Sequence, residues 1–91
     1  MNITALKQEF LGRNVQVVSS KDPSLVGLEG EVIGESKNML RVRTENGDKS
    51  LIKANSVFQM DMDGQLYKIP GKCITFRPED RIKKVKRWEG L

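Results

Sequence analysis

The chain has 91 residues, 37% of them hydrophobic and 31% charged, which allows one modest core and no second lobe to form a cleft. It has no histidine and a single cysteine, Cys73. The commonest general base is therefore missing, and no transition-metal site of ordinary type can be assembled within the chain. Lys and Arg number 16 against 12 Asp and Glu, a net charge of +4, and such a surplus favours a polyanionic partner. The apolar stretches are too short to span a bilayer, and MNITALKQEF lacks the charged-then-apolar order of a secretory signal. A lone cysteine forms no internal disulfide and fits a reducing compartment, so the cytoplasm is the expected location. Cys73 itself reads as a small buried hydrophobe.

Residues 2–11 predict a short amphipathic helix. Ile3, Leu6 and Phe10 recur at helical spacing, Asn2 can cap the start and Gly12 can close the end. A helix of that length does not stand alone, so its apolar side must pack on the main domain or on a partner. From Asn14 the period changes to two. Val15 and Val17 alternate with Asn14 and Gln16, and Leu28, Gly30 and Val32 with Glu29, Glu31 and Ile33. Leu40 and Val42 alternate with Arg41 and Arg43; Phe58, Met60 and Met62 alternate with Gln59 and Asp61, and Ile74 and Phe76 close the series. These are expected as short half-buried strands. Asn46-Gly47, Asp63-Gly64 and Pro70-Gly71 supply turn chemistry, and Asp22-Pro23-Ser24 opens a longer loop. Five or six such strands predict a small, strongly bent antiparallel barrel of the Sm-like or SH3-like kind, which would remove exposed sheet edges. Gly27, Gly30 and Gly34 would permit the bending and close approach that a barrel needs. The organisation expected is a single domain, with an N-terminal helix over 1–12, the barrel over 13–77 and a basic C-terminal segment over 78–91.

That last segment, RPEDRIKKVKRWEGL, has Pro78 suited to a first helical turn and Glu79 and Asp80 suited to the positive helix end. Ile82, Val85 and Trp88 fall on one side. Five cations follow without an acid between Arg81 and Trp88, namely Arg81, Lys83, Lys84, Lys86 and Arg87. A polyanion or an acidic protein would relieve their mutual repulsion. Arg41 and Arg43 project from one strand face, with Lys37 and Asn38 in the preceding turn, and together with the tail they can track a phosphate backbone. An enzyme reading finds little to stand on, since a Ser or Cys nucleophile needs a base beside it. The acid pairs Glu29/Glu31, Asp61/Asp63 and Glu79/Asp80 read as solvated faces, and the glycines form no phosphate-binding loop.

Three runs in order, LVGLEGEV (Leu25–Val32), ESKNML (Glu35–Leu40) and RPEDRI (Arg77–Ile82), make the stretch from Phe10 to Ile82 closely similar to archaeal ribonuclease P protein component 1, the archaeal relative of the eukaryotic Pop-four subunit. Lys21–Ser24 departs from the Asn expected before the proline, and Leu51–Asp63 carries little of the family signature. The resemblance implies an Sm-like barrel that binds ribonuclease P RNA and supports removal of the 5′ leader of precursor tRNA. It further implies that the RNA performs the hydrolysis with its own Mg²⁺, that this chain binds no cofactor, and that a small zinc-ribbon subunit is a partner along with other ribonuclease P proteins. The RNA-binding residues expected on this reading are Lys37, Asn38, Arg41, Arg43, Arg77, Arg81, Lys83, Lys84, Lys86 and Arg87. Two alternatives remain at this point. A KOW-type RNA-binding barrel of a ribosomal or transcription-factor protein would share the glycine spacing of VGLEGEV. An SH3-like protein-interaction module would need an aromatic groove from one Trp, one Tyr and three Phe.

Overall fold

The computed structural model describes residues 9–62 and 64–81. Six strands form one antiparallel sheet in the order β4-β3-β2-β1-β5-β6. They are β1 (Asn14–Ser20), β2 (Glu29–Glu35), β3 (Met39–Thr44), β4 (Gly47–Ile52), β5 (Ser56–Met62) and β6 (Gln65–Pro70). Three short 3₁₀ turns link them, at Pro23–Leu25, Lys53–Asn55 and Gly71–Ile74.

The period-two pattern places its residues as expected. Val15, Val17, Val32, Leu40, Val42, Phe58, Met60 and Met62 all point into one buried core, joined by Leu51 and Ile69 from the end strands. Each such side chain contributes roughly 1.5–3 kcal/mol when removed from water. The hairpin turns also fall where the dipeptides predict. Thr44 pairs with Gly47 and Met62 with Gln65, and Gly47 (φ 105°) and Gly64 (φ 84°) take the left-handed conformation that a side chain would oppose.

The sheet is not the expected barrel. Its end strands are β4 and β6, and no pairing joins them, so it remains open. The prediction assumed that edges must be removed by closure, whereas this sheet guards them instead. Asp48, Lys49 and Ser50 of β4 are exposed, and β6 carries exposed Lys68 and ends in Pro70; charges and proline discourage pairing with another chain. Bending comes from register shifts at Val17/Ser19 on β1 and Val32/Gly34 on β2. Gly30 also serves the predicted close approach, because a Cβ there would lie 2.0 Å from the Arg43 carbonyl oxygen.

Two further expectations change. Ile74 and Phe76 are not a closing strand: Ile74 is buried in the last 3₁₀ turn and Phe76 follows in a bend. Cys73 is half-buried rather than fully buried. Most of the predicted N-terminal helix lies outside the described residues, but Phe10 is fully buried in the core and the Gly12 amide donates to the Val32 carbonyl at 2.8 Å. Residues 78–81 are helical, and Lys83, Lys84, Lys86, Arg87 and Trp88 lie outside the described residues.

Candidate nucleic-acid interface

The segments that carry two of the predicted cations, Lys37 and Arg77, are joined by a lysine that the sequence pattern does not single out. Lys53 begins the turn between β4 and β5, and its side chain is 0% exposed. Its ammonium donates to Glu35 Oε2 at 2.8 Å, to the Ser36 carbonyl at 2.7 Å and to the Phe76 carbonyl at 3.1 Å. All three of its protons are thereby used. The Lys53 amide also donates to the Asn38 carbonyl at 2.8 Å. One residue therefore fixes the β2–β3 turn and draws the segment before the C-terminal helix against it. Burial holds the Lys53 ammonium below the usual lysine range, a shift that the bond and charge of Glu35 partly oppose and the nearby Arg81 reinforces.

Glu35, its carboxylate only 4% exposed, also pairs with Arg81. The Arg81 guanidinium donates from Nη2 to Oε1 at 3.2 Å and from Nε to Oε2 at 3.4 Å, and it lies over the Phe10 ring, 3.7 Å from the centroid. Such stacking on a ring face is favourable for a guanidinium. Arg81 is thus placed differently from the other expected RNA contacts. Its side chain is 1% exposed, and its charge faces Glu35 rather than solvent. It secures the helical start instead of forming part of the open surface.

Outward, this end of the sheet carries cations and polar groups, with the exposed acids Glu79 and Asp80 beside them on the helical start. Lys37, Asn38 and Arg77 are all exposed, and they belong to the two segments whose Ser36 and Phe76 carbonyls share one ammonium. Arg41 and Arg43 also point outward, from β3, with side chains 62% and 66% exposed. Arg41 stands three residues from Asn38, about 10 Å at strand rise. The two arginines differ in surroundings. Arg43 pairs across the sheet with Glu31 and Asp48, whereas Arg41 is flanked by Gly34 and Ser50. Asp48 reaches both guanidiniums at only 3.7 and 3.9 Å. Exposed contacts of that kind are worth little and yield readily to a phosphate. The sequence places both arginines on one face but does not show Asp48 beside them, because that proximity depends on strand register.

The outer face toward β1 and β5 has the opposite character. Glu29, Glu31 and Asp61 are exposed there among Asn14, Gln16 and Gln59, so the Glu29/Glu31 pair sits on a solvated face; Asp63 lies outside the described residues, and Glu79 and Asp80 are exposed at the C-terminal helical start. Among the described residues no group of three or more His, Cys, Asp or Glu side chains is gathered to hold a metal ion.

Comparison with known proteins identifies the family. The family described as Ribonuclease P/MRP, subunit p29, matches residues 4–84. Ribonuclease P protein component 1 of Methanosphaera stadtmanae is 43% identical over 79 residues, covering 86% of this chain and 85% of that protein. Its counterpart in Archaeoglobus fulgidus is 38% identical over 93 aligned positions, covering 98% and 91%. The solved structure of Mth11, described as a homologue of human RNase P protein Rpp29, superimposes with a TM-score of 0.60 at 31% identity, over 82% of this chain and 99% of that one. A match that runs through nearly the whole sheet, shared with relatives of similar length and with a solved fold, leads to one conclusion: this chain belongs to the ribonuclease P/MRP subunit p29 family.

Proposed function

We infer that the chain is an RNA-binding subunit of ribonuclease P, acting in 5′ processing of precursor tRNA by supporting the RNA rather than by doing chemistry. The observation that carries this is the family match over residues 4–84, and the KOW-type and SH3-like alternatives give way to it. Association with ribonuclease P RNA and with other protein subunits follows from the same membership.

The finer reading is our own. Lys37, Asn38 and Arg77 at the Lys53-anchored end, with Arg41 and Arg43 on β3, form the phosphate-contacting surface, and Lys83, Lys84, Lys86 and Arg87 extend it along the chain. Point charges from Lys and bidentate guanidiniums from Arg neutralise phosphates and release condensed counterions. A folded RNA then needs fewer Mg²⁺ ions to hold its phosphates together. Arg81 supports this surface from within. The direct protein partner is a small zinc-ribbon subunit, and the assembly works in the cytoplasm. Copurification of the tagged chain from its native cells tests the reading. A discrete structured RNA of ribonuclease P type is expected; ribosomal subunits, or protein without RNA, would overturn it.

A further inference from the structure

A second cationic surface lies on the other flank of the Lys53–Asn55 turn. We propose that the groove between Lys21 and Lys72 seats a phosphate-bearing stretch of RNA backbone, with the two lysines as its cationic contacts. The inference rests on the RNA-binding reading above and adds a separate contact to it.

Charge separates this groove from other depressions in the molecule. The hollow on the outer sheet face sets Glu29, Glu45 and Asp61 against one cation, Arg43, and the one below the β3–β4 hairpin sets Glu29 and Glu45 against Lys49. The lining of the third includes Lys21, Lys72, Asn55 and the serines 19, 20 and 56, with no carboxylate. Acids outnumber cations in the first two, whereas the charged groups lining the third are cations alone, so the third suits a polyanion best. Hydroxyl and amide groups beside lysines are the donors commonly used for phosphate oxygens. Contacts to the phosphate backbone carry no sequence information directly, so this one is expected to be independent of sequence.

The groove is also held in shape. The Lys21 amide donates to the Asn55 carbonyl at 2.9 Å, which ties the end of β1 to the 3₁₀ turn. Ser56 Oγ donates to Ser20 Oγ at 3.0 Å across the floor. On the opposite wall, the last 3₁₀ turn sits directly on the Lys53–Asn55 turn. A Cβ at Gly71 would fall 1.4 Å from the Lys53 carbonyl oxygen, so only glycine admits that approach, and it fixes where Lys72 begins. The acid next in sequence to Lys21 is occupied elsewhere. Asp22 Oδ1 accepts from the Ser24 amide at 3.0 Å and the Ser24 hydroxyl at 2.7 Å, within its own loop. These bonds hold its carboxyl below the usual range, so it keeps its charge in that loop.

The test compares wild type, Lys21→Ala/Lys72→Ala and Lys21→Arg/Lys72→Arg for binding to ribonuclease P RNA across a salt series, with thermal unfolding measured alongside. Both lysines are exposed, so melting should be unchanged in all three. Loss of two phosphate contacts should flatten the log–log salt slope by about 1.4–1.8, equivalent to about 25- to 60-fold weaker binding at 0.1 M salt. The arginine pair should restore both. Unchanged slope and affinity in the alanine variant would overturn the groove while leaving the RNA reading intact. So would a loss that comes with lower melting, or one that arginine does not recover. Absence of salt-dependent binding by wild type would instead overturn the RNA reading, and the groove with it.

Discussion

Replacing Glu35 by Ala should be among the most damaging single changes in the sheet. Its carboxylate is 4% exposed and faces two buried cations, Lys53 at 2.8 Å and Arg81 at 3.2 Å. Removing it leaves two like charges together in a low-dielectric site. Breaking a buried pair in this way costs about 3–5 kcal/mol, against a total stability of roughly 5–15 kcal/mol for a domain. At about 4–8 °C per kcal/mol for a chain of this size, the midpoint should fall by at least about 12 °C. Burial already lowers the Lys53 pKa, so the variant has one route of escape, which is to release that proton. In the window between the folded pKa and the ordinary lysine value of 10.5, the unfolded chain binds more protons than the folded one. Stability therefore rises with pH there, and the Glu35→Ala penalty should shrink toward alkaline pH. The combined replacement Glu35→Leu/Lys53→Met/Arg81→Met should recover most of the loss, because apolar groups of similar volume often substitute for a buried ionic cluster. Denaturant unfolding of the single and triple variants at several pH values measures all of this. A loss below about 1 kcal/mol at neutral pH for Glu35→Ala would refute the reasoning, since it would mean that the cluster is not electrostatically dry.

Other variants test separate parts of the account. Arg41→Glu/Arg43→Glu should weaken RNA binding and leave the melting midpoint nearly unchanged, because both side chains are exposed; a large loss of folding would show them to be packing residues. Truncation after Ile82 removes Lys83, Lys84, Lys86 and Arg87, and loss of three or more contacts should flatten the salt slope by about 2–3 units. If affinity and slope both survive truncation, the tail is no RNA contact. Gly30→Ala puts a Cβ 2.0 Å from the Arg43 carbonyl oxygen and should destabilise by about 1–3 kcal/mol in denaturant titrations. A neutral result there would show that β2 and β3 can move apart freely.

The alternation of apolar residues was sufficient to locate β1, β2, β3 and β5, because each buries a repeated face. Strands β4 and β6 were harder to see. Leu51 is the only buried residue of β4, and Ile69 the only buried residue of β6, so neither edge strand shows the pattern. Closure is the expected way to remove edges; here the edges instead carry their own charges and a proline, a device visible only once strand order is known. The cations at Lys37, Arg41, Arg43 and Arg77 could be listed from sequence. That the segments of Lys37 and Arg77 are joined could not be, because the link runs through Lys53 and Glu35, which are 18 residues apart, and through Arg81, which is 46 from Glu35. Lysines and arginines read as surface charges by default. The available hint was ESKN preceding a strand and RPEDRI closing the match, two runs whose charges meet in space.

Omission of this chain from a reconstituted ribonuclease P gives the most direct test of its assigned role. Cleavage of precursor tRNA would be followed as Mg²⁺ is titrated, with and without the chain, and with the chain alone as control. Its presence should shift the Mg²⁺ requirement downward, and the RNA-free chain should cleave nothing at any Mg²⁺ concentration. Identical titrations with and without it, or 5′ processing by the highly purified protein alone, would contradict the account.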